Sequence, residues 1–364
     1  MWRVVFNVPG TDFALYSFGT MLALGIALSV TLAAKRFGKL GQDPEVVWRL
    51  GFWFVLPGLI GARLFYLIQF HEQYHSLWQM LDITKGGMVF YGSAIGAFAG
   101  TAYFCWRERP PAWKLLDAMA PSLALGIAIG RIGCFLNGCC YGDYCTRGPS
   151  VRFPFGADAC SRFYQFGSQS MLGFKTTTDA SGSLRIAWVE PGTDAERVGL
   201  EAGDRIVGVD GKRDPNTLNL YRGLDDYLRR YKPSQPNIGP LKLEVDRGDK
   251  TLSFSIQPPP SLPVHPTQIY STIGGLLLYW YLASAFELRR REGLLIAECF
   301  MLYPIGRFII EYLRFDEDQL FDGLTISQNI SLLIFAVGLA AYLWLRNHPQ
   351  DQSSLAASPA PVGT

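Results

Sequence analysis

Neither histidine nor cysteine occurs between residues 168 and 258 of this 364-residue chain. No pairing of a nucleophile with a base is visible there, so we expect that stretch to carry no covalent catalysis. The net charge of +2 says little about partners, and we expect no nucleic acid among them. No basic segment precedes the first apolar stretch and no small-residue cleavage site follows it cleanly, so we expect it not to be removed as a signal peptide.

Apolar residues, in contrast, make up 49 % of the chain. They are concentrated in long stretches that approach the roughly 17–25 residues a helix needs to span a bilayer. Several of these contain proline, glycine or an ionisable residue, which indicates that they line a cavity. The stretches are 13–34, 48–70, 87–106, 114–136, 266–286, 293–313 and 329–345. We therefore predict a polytopic α-helical membrane protein with about seven transmembrane helices.

The charges of the short loops predict how the chain crosses the membrane. The loops after the first, third and fifth stretches are basic, and basic loops lie on the cytoplasmic side. The alternate short loops are poor in base, since 71–86 has only Lys85 and 314–328 has Arg314 among several acids. We expect the N-terminus outside, the C-terminus in the cytoplasm and residues 168–258 on the extracytoplasmic face. The basic loop residues are Lys35, Arg36, Lys39, Arg49, Arg107, Arg109, Lys114, Arg289, Arg290 and Arg291.

Residues from about 168 to 258 are predicted to form an inserted soluble β/α domain. Strands are predicted at 185–189, 241–245 and 252–256, the last two around a turn at 247–249. A short helix capped by Thr193 or Asp194 and a helix over 225–231 are predicted between them. The segment from Gly199 to Gly211, Gly-Leu-x-x-Gly-Asp-x-Ile-x-x-Val-x-Gly, resembles a PDZ domain.

A PDZ domain binds an extended peptide as an added strand at an open sheet edge. Leu172, Gly173 and Phe174, preceded by Met171, fit the position of its carboxylate-binding loop. The resemblance implies that a peptide or a protein C-terminus binds beside them. The alternative is that these residues merely begin a strand.

The stretch from Gly130 to Gly142 lies where the fourth apolar stretch leaves the membrane and contains Arg131. An arginine at this depth is costly unless it faces water, a cavity or an anion, and the natural anion there is a phospholipid phosphate. The glycines beside it let the backbone approach whatever the side chain contacts. The stretch, Gly-Arg-Ile-Gly-Cys-Phe-Leu-Asn-Gly-Cys-Cys-Tyr-Gly, resembles the signature of the prolipoprotein diacylglyceryl transferase family.

Further segments similar to family motifs lie at 61–66, 86–92, 265–270, 306–314 and 323–328. Arg307 and Glu311 are four residues apart, so they are expected to share a helix face, with Arg314 on nearly the same face. The alternative is an ion-pair girdle that only holds helices together. The resemblance implies catalytic roles for Arg131, Arg307, Glu311, Tyr91 and His265, and substrate binding by Arg63, Asn137, Gly138, Gln268, Tyr270 and Arg314.

The resemblance implies a transferase of the bacterial inner membrane. It would move the diacylglyceryl group of phosphatidylglycerol to the lipobox cysteine thiol of a preprolipoprotein, with glycerol phosphate leaving. Holding the phosphate suits Arg131 and Arg307. The acceptor thiol must lose its proton, because the thiolate is the nucleophile. No metal and no organic cofactor are implied.

Some positions depart from the family pattern. Phe18 replaces a tyrosine, Tyr91 a histidine, Cys134 an asparagine, and Cys139 and Ser271 two glutamates. Which residue acts as the catalytic base therefore stays open between Tyr91, Glu311 and His265. Tyr91 is less suited to this role because its ordinary pKa is about 10. For His265 the alternative is a structural cap, and for Tyr91 it is a hydrogen bond to a phosphate.

Five cysteines crowd the segment around and after this signature: Cys134, Cys139, Cys140, Cys145 and Cys160. In an oxidising compartment one or two disulfides are expected among them. A metal site is the rival interpretation, although the spacing lacks the paired C-x2-C of zinc ribbons and no histidine is near.

The predicted organisation is a transmembrane core at 1–167, a PDZ domain at 168–260, the second part of the core at 261–348 and a disordered tail at 349–364. Two alternatives to the lipoprotein transferase stay open. One is a diverged family member that transfers lipid to another acceptor, which the substitutions favour. The other is a membrane scaffold without enzymatic activity, whose PDZ domain binds peptide tails.

Overall fold

A computed structural model describes residues 4–7, 14–69, 71, 89–165, 167–230, 239–289, 291–314, 319–321 and 323–348. The predicted tail at 349–364, Lys85, Arg290 and the motif glycines Gly86 and Gly87 lie outside the described residues. The chain divides into two compact units. A mixed unit comprises Met1–Thr20, Ile132–Ile269 and Leu313–Asp316, and a helical unit comprises Met21–Arg131, Tyr270–Tyr312 and Glu317–Thr364.

A long helix is found in the described part of each predicted apolar stretch, and the strands fall mainly between the fourth and fifth of these helices. In chain order the elements are β1 (Val4–Asn7), β2 (Ala14–Tyr16), α1 (Ser17–Lys39), α2 (Glu45–Gln69), α3 (Phe90–Glu108), α4 (Ala112–Asn137), α5 (Asp158–Gln165), β3 (Phe174–Thr178), β4 (Leu184–Val189), α6 (Asp194–Arg197), β5 (Arg205–Val209), β6 (Lys212–Arg213), α7 (Thr217–Arg229), β7 (Leu241–Arg247), β8 (Lys250–Ile256), α8 (Thr267–Leu288), α9 (Leu294–Glu311), β9 (Gln319–Phe321), β10 (Leu324–Thr325) and α10 (Ile326–Asn347). Five of the described helices, α1, α2, α4, α8 and α10, are long and apolar enough to cross a membrane.

In the helical unit, α2 and α3 pack so closely that side chains do not fit between them. A Cβ atom on Gly96 would lie 2.8 Å from the carbonyl carbon of Pro57, and one on Gly100 would lie 2.7 Å from the Pro57 ring. A Cβ on Gly92 would lie 2.9 Å from the carbonyl carbon of Gly61. The α3 glycines recur every fourth residue, so they form one stripe along which the two backbones approach.

Ion pairs join the helix ends that carry the predicted basic loops. Buried Asp117, near the start of α4, accepts the backbone N–H groups of Gly293 and Ile296 at 2.7 and 3.0 Å, which satisfies the start of α9. The starts of α2, α4 and α9 and the ends of α1, α3 and α8 therefore lie at one end of the helical unit. The ion pairs are Lys39–Glu287 at 2.6 Å, Arg49–Glu108 at 3.3 Å and Lys114–Glu292 at 3.4 Å.

The mixed unit contains a six-stranded antiparallel sheet of order β3-β4-β5-β7-β8, with β6 paired to β5. β7 and β8 pair in unbroken register from Leu241 opposite Ile256 to Arg247 opposite Lys250. Every second residue of β7 from Leu241 to Val245 is fully buried, as the alternation predicted. β3 forms one edge of this sheet.

Some local predictions were wrong or incomplete. The helix predicted from Asp225 begins at Thr217, because the side chain of Asn216 accepts the Leu218 N–H at 2.9 Å and caps it there. Thr193 stands at the N-cap of α6, but its hydroxyl accepts no N–H of the helix and donates instead to the Glu190 carbonyl at 2.6 Å. Helix α5 and the hairpins β1–β2 and β9–β10 were not predicted.

Candidate functional site

Arg307 and Glu311 lie one turn apart on α9, on the shared helix face that their spacing predicts, and they form an ion pair. The Glu311 side chain is buried, and the hydroxyl of Thr325 donates to its Oε1 at 3.2 Å. Nη2 of Arg307 donates to the Ser327 hydroxyl at 2.8 Å. Both members of the pair are therefore held from α9 and from the start of α10, which fixes the guanidinium in one orientation.

Sequence reasoning did not assign Thr325 or Ser327 to the site. The available signal was the pattern Thr-x-x-Gln at a helix start, which predicts a capping box. The structure forms that box: the Gln328 N–H donates to the Thr325 hydroxyl at 3.3 Å, and the Thr325 N–H donates to the Gln328 side chain at 3.0 Å. It fixes the first turn of α10, from which these hydroxyls reach Arg307 and Glu311.

The prediction that Arg314 shares this helix face was wrong. α9 ends at Glu311, and Arg314 lies beyond its C-cap, Tyr312. The chain turns away there, and within the mixed unit the Asp143 N–H donates to the Leu313 carbonyl at 2.8 Å. Arg314 therefore lies in a loop beyond the helix and not on the face that helical periodicity predicts.

Arg131 lies six residues before the end of α4, which is about 9 Å along the helix axis. Its side chain is half-buried. Among the residues that the structure describes, it forms no hydrogen bond or ion pair, unlike Arg307. A Cβ atom on Gly130 would have no atom within 4 Å, so the helix surface beside Arg131 borders open space. A half-buried cation with room beside it is suited to binding an anion.

The other predicted residues of the helical unit lie on α2, α3 and α8. The Arg63 guanidinium lies over the Tyr66 ring at 5.7 Å from its centroid, which is a cation–π contact within α2. Tyr270 is half-buried on α8. Tyr91 is the second residue of α3, and its side chain is not among those described.

In the mixed unit, the loop before α8 is bonded to the end of the Gly130–Gly142 stretch. The His265 carbonyl accepts the Gly142 N–H at 2.9 Å, and the His265 N–H donates to the Asp143 carbonyl at 3.0 Å. A Cβ atom on Gly142 would lie 2.7 Å from the His265 Cβ, so glycine is required at this contact. The His265 side chain is half-buried.

The first turn of α8 binds the backbone of the two adjacent cysteines. Nε2 of Gln268 donates to the Cys139 carbonyl at 2.6 Å, and the Thr267 hydroxyl donates to the Cys140 carbonyl at 2.8 Å. Both donors are buried. Gln268 was predicted to bind substrate, and the structure gives its amide nitrogen this backbone contact.

Asn137 is the last residue of α4, and Gly138 ends the helix with a left-handed backbone, φ +80°. The Cys139 N–H donates to the Cys134 carbonyl at 3.2 Å and the Gly138 N–H donates to the Phe135 carbonyl at 3.2 Å. These two bonds define a Schellman motif, in which the residues at its two ends approach each other.

The expectation of disulfides was wrong, because all of the cysteines are free thiols. Cys145 donates to the Arg147 carbonyl at 3.5 Å, and Cys160 donates to the Pro154 carbonyl at 3.4 Å. Burial raises the pKa of the Cys160 thiol to about 11. The sulfur atoms of Cys134, Cys139 and Cys140 lie within 4.8 Å of one another.

A groove of about 660 Å³ runs between the edge strand β3 and helix α7. Leu172 and Phe174, predicted to bind peptide, are buried at its floor, and Tyr221 lines it from α7 with its side chain exposed. Gly173 between them has a left-handed backbone, φ +83°. Among the described residues, no hydrogen bond is donated by the N–H groups of Met171, Leu172 or Gly173.

Comparison with known proteins finds one family over nearly the whole chain. A family model described as prolipoprotein diacylglyceryl transferase matches residues 3–344. A protein of Rhodopirellula baltica named phosphatidylglycerol–prolipoprotein diacylglyceryl transferase is 29 % identical, over 94 % of this chain and 74 % of that protein. Proteins of the same name from Clostridium tetani (24 % identical, over 94 % of this chain and 97 % of that protein) and Thermus thermophilus (38 % identical, over 33 % and 44 %) are also similar.

Proposed function

The chain belongs to the prolipoprotein diacylglyceryl transferase family and is a multi-pass membrane protein and a transferase, and from this premise we propose how its residues carry out the reaction. The names of its relatives give phosphatidylglycerol and a prolipoprotein as the substrates. The acceptor is the lipobox cysteine thiol. A carbon–sulfur bond forms to the diacylglyceryl group, the carbon–oxygen bond to phosphate breaks, and glycerol phosphate leaves.

The observation that carries this proposal is that Arg131 has no hydrogen-bond or ion-pair partner in the part of the chain that the structure describes. Its side chain is half-buried on an apolar helix and has no partner among the described residues, and the helix surface at the neighbouring Gly130 borders open space. A planar guanidinium donates two parallel hydrogen bonds to a phosphate, so it can hold the lipid headgroup and stabilise the charge of the leaving phosphate. Arg131 is therefore the residue to which we assign phosphate binding.

The other roles follow from how tightly each group is held. Arg307, oriented by Glu311 and Ser327, would add a second cation at the leaving phosphate. Glu311 already accepts bonds from Arg307 and Thr325, which makes it a poor base, so His265 and Tyr91 are the remaining candidates. Substrate contacts are assigned to Arg63, Asn137, Gly138, Gln268, Tyr270 and Arg314.

The test is transfer to a model lipoprotein in a bacterium depleted of its own transferase. We expect Arg131→Ala to lower transfer by at least about 100-fold. Arg131→Lys should recover little of the lost activity, because lysine keeps the charge but not the planar pair of donors that binds phosphate. Arg49→Ala is the matched control, since Arg49 forms an exposed pair with Glu108. Arg131→Ala activity within about threefold of the wild type would remove the assignment.

We place the protein in the bacterial inner membrane, with the N-terminus and residues 168–260 outside and the C-terminus inside. The basic helix ends gathered by Lys39, Arg49 and Lys114 support the cytoplasmic assignment of that end. A cysteine at exposed Ser181 should react with a membrane-impermeant thiol reagent on spheroplasts, and one at exposed Glu45 only after lysis. The reverse pattern would invert the topology.

The groove beside β3 supports a PDZ domain at 168–260 that recruits the protein substrate. An extended peptide end can pair with the free edge of β3, with its carboxylate at the N–H groups of Met171 to Gly173. The domain contains no histidine or cysteine, so its part is recruitment and not chemistry. Holding the substrate near the membrane raises its effective concentration without a further chemical step.

A further inference from the structure

Three thiols converge at the end of α4, and the backbone explains why. In a Schellman motif the side chains before and after the terminal glycine meet, and here they are Cys134 and Cys139. Cys140 adopts the left-handed backbone that L-residues rarely adopt, φ +57°. Its sulfur thereby joins the other two, and all three lie within 4.8 Å of one another.

The backbone of this cluster is anchored by buried side chains. Gln268 and Thr267 donate to the carbonyls of Cys139 and Cys140 at 2.6 and 2.8 Å. Gly138 cannot be replaced without strain, because a Cβ there would lie 3.0 Å from the Ala157 Cβ and its φ is +80°. The backbone that carries the thiols is therefore fixed in advance, as the backbone of a ligand site has to be.

The dimensions match a thiolate metal site. A tetrahedral zinc ion with zinc–sulfur bonds of about 2.3 Å holds its sulfur ligands about 3.8 Å apart. Sulfurs within 4.8 Å reach that spacing by small side-chain rotations. A disulfide would join only two of the three sulfurs and needs them about 2 Å apart. Thiolates select soft ions of the zinc and copper(I) class.

We propose that Cys134, Cys139 and Cys140 bind one Zn²⁺ ion as thiolates, and that the position left open takes the acceptor thiol. Three protein ligands with one open position are the arrangement of catalytic zinc sites. A thiol that coordinates zinc releases its proton to solvent and becomes a thiolate. The second half of this proposal rests on the proposed function. In it the zinc ion, and not His265 or Tyr91, is the means by which the acceptor thiol loses its proton.

Metal binding is tested on the full-length protein in detergent, after reduction and loading with Zn²⁺ or with Co²⁺ as an optical probe. We expect about one ion per chain, protection of three thiols from alkylation, and thiolate-to-cobalt charge-transfer absorption. Cys134→Ser, Cys139→Ser and Cys140→Ser should each weaken binding by at least about tenfold. Cys160→Ser and Cys105→Ser are matched controls outside the cluster and should keep the ion.

The acceptor half is tested on the Co²⁺-loaded protein with a lipobox peptide and its cysteine-to-serine counterpart. Only the thiol peptide should shift the charge-transfer band. Ion content equal in wild type and the triple serine variant, or a Cys134–Cys139 disulfide in freshly trapped protein, would overturn the metal site. A charge-transfer band that does not shift when the thiol peptide is added would overturn the acceptor role. None of these readouts depends on transfer, so an inactive protein that still binds Zn²⁺ would count against the proposed function alone.

Discussion

The helical unit and the sheet of the mixed unit place their large apolar side chains in opposite ways. In the helical unit Phe98 is 77 % exposed and Trp280 is 71 % exposed. In the sheet, Leu241 and Leu243 are completely buried. Each arrangement is stable only in its own solvent, since lipid accepts the first set and water drives the second set inside. The comparison teaches that the chain folds in two solvents, with different rules for burying charge.

Among the described residues, both units contain a buried carboxylate that is paired with an arginine. In the helical unit Glu311 pairs with Arg307 and also accepts a hydroxyl from α10. In the mixed unit Asp204 accepts two hydrogen bonds of 2.7 Å from Arg247, which is itself one-third exposed and reaches Glu201 as well. We infer that the first pair orients a catalytic arginine, whereas the second joins β7 to the loop before β5.

The largest effect is expected from breaking the pair of the helical unit. Arg307→Ala or Glu311→Gln should lower transfer by at least about 100-fold, because the guanidinium is lost or loses its orientation. Transfer is measured per amount of folded protein in the membrane. If folded protein falls in proportion to activity, the pair only holds α9 against α10, and the contrast with Asp204 disappears.

Breaking the pair of the mixed unit should cost stability and leave peptide transfer intact. Asp204→Asn should destabilise the sheet by about 1.5–3 kcal/mol, because Arg247 loses its charge-assisted hydrogen bonds to a buried carboxylate and keeps only its more exposed pair with Glu201. Hydrogen exchange of β5 and β7 amides in the full-length protein measures this as faster opening. Unchanged exchange would show that the pair contributes nothing to the sheet.

The same pair predicts how sheet stability depends on pH. Burial tends to raise the pKa of Asp204, but its bonds with Arg247 and the Glu201 N–H outweigh burial and hold the pKa below its ordinary value. A lowered folded-state pKa stabilises the sheet above the unfolded pKa of about 4. That contribution is lost as pH falls through the folded pKa. Acid should therefore accelerate hydrogen exchange of the β5 and β7 amides. After correction for the intrinsic pH dependence of exchange, the acceleration should be larger in the wild type than in Asp204→Asn.

A smaller effect is expected in the groove beside β3. Tyr221→Glu places a charge against a bound peptide and should lower transfer to a natural protein substrate by about tenfold at low concentration. Transfer to a short lipobox peptide at high concentration should stay unchanged. Leu218→Glu is the matched control, since Leu218 is exposed on the same helix outside the groove. Equal losses for both variants would remove the recruitment role.

The smallest effect is expected at the exposed end of the helical unit. Lys39→Ala breaks a pair whose side chains are both more than half exposed. Such pairs contribute at most about 1 kcal/mol. The temperature of thermal inactivation of the detergent-solubilised protein should therefore change little in the variant. The difference from the wild type should be smaller still in high salt. A loss as large as that of Arg307→Ala would show that exposed and buried pairs do not differ here.

The sequence predicted elements whose signal is local. The apolar stretches became helices, and the alternation at 241–245 became a buried strand. The start of α7 was missed, although Asn216 is a good cap, because a preceding cap residue is a weak signal without burial data. Arg314 was misplaced because periodicity does not mark where a helix ends.

The features of the site also divide into those that the sequence predicted and those that it did not. The pairing of Arg307 with Glu311 follows from a spacing of four residues and was predicted. The convergence of Cys134, Cys139 and Cys140 was not, because it depends on left-handed backbone at Gly138 and Cys140. The expected oxidising compartment suggested disulfides, and the terminal turn of α4 instead gathers three thiols.

The most direct measurement is the product that the purified protein makes from phosphatidylglycerol and a lipobox peptide. Mass spectrometry should find the diacylglyceryl group on the cysteine sulfur, with one glycerol phosphate released for each peptide modified. The Arg131→Ala protein should make almost none. Lipid attached to another group of the acceptor, or full thioether formation by Arg131→Ala, would contradict the account.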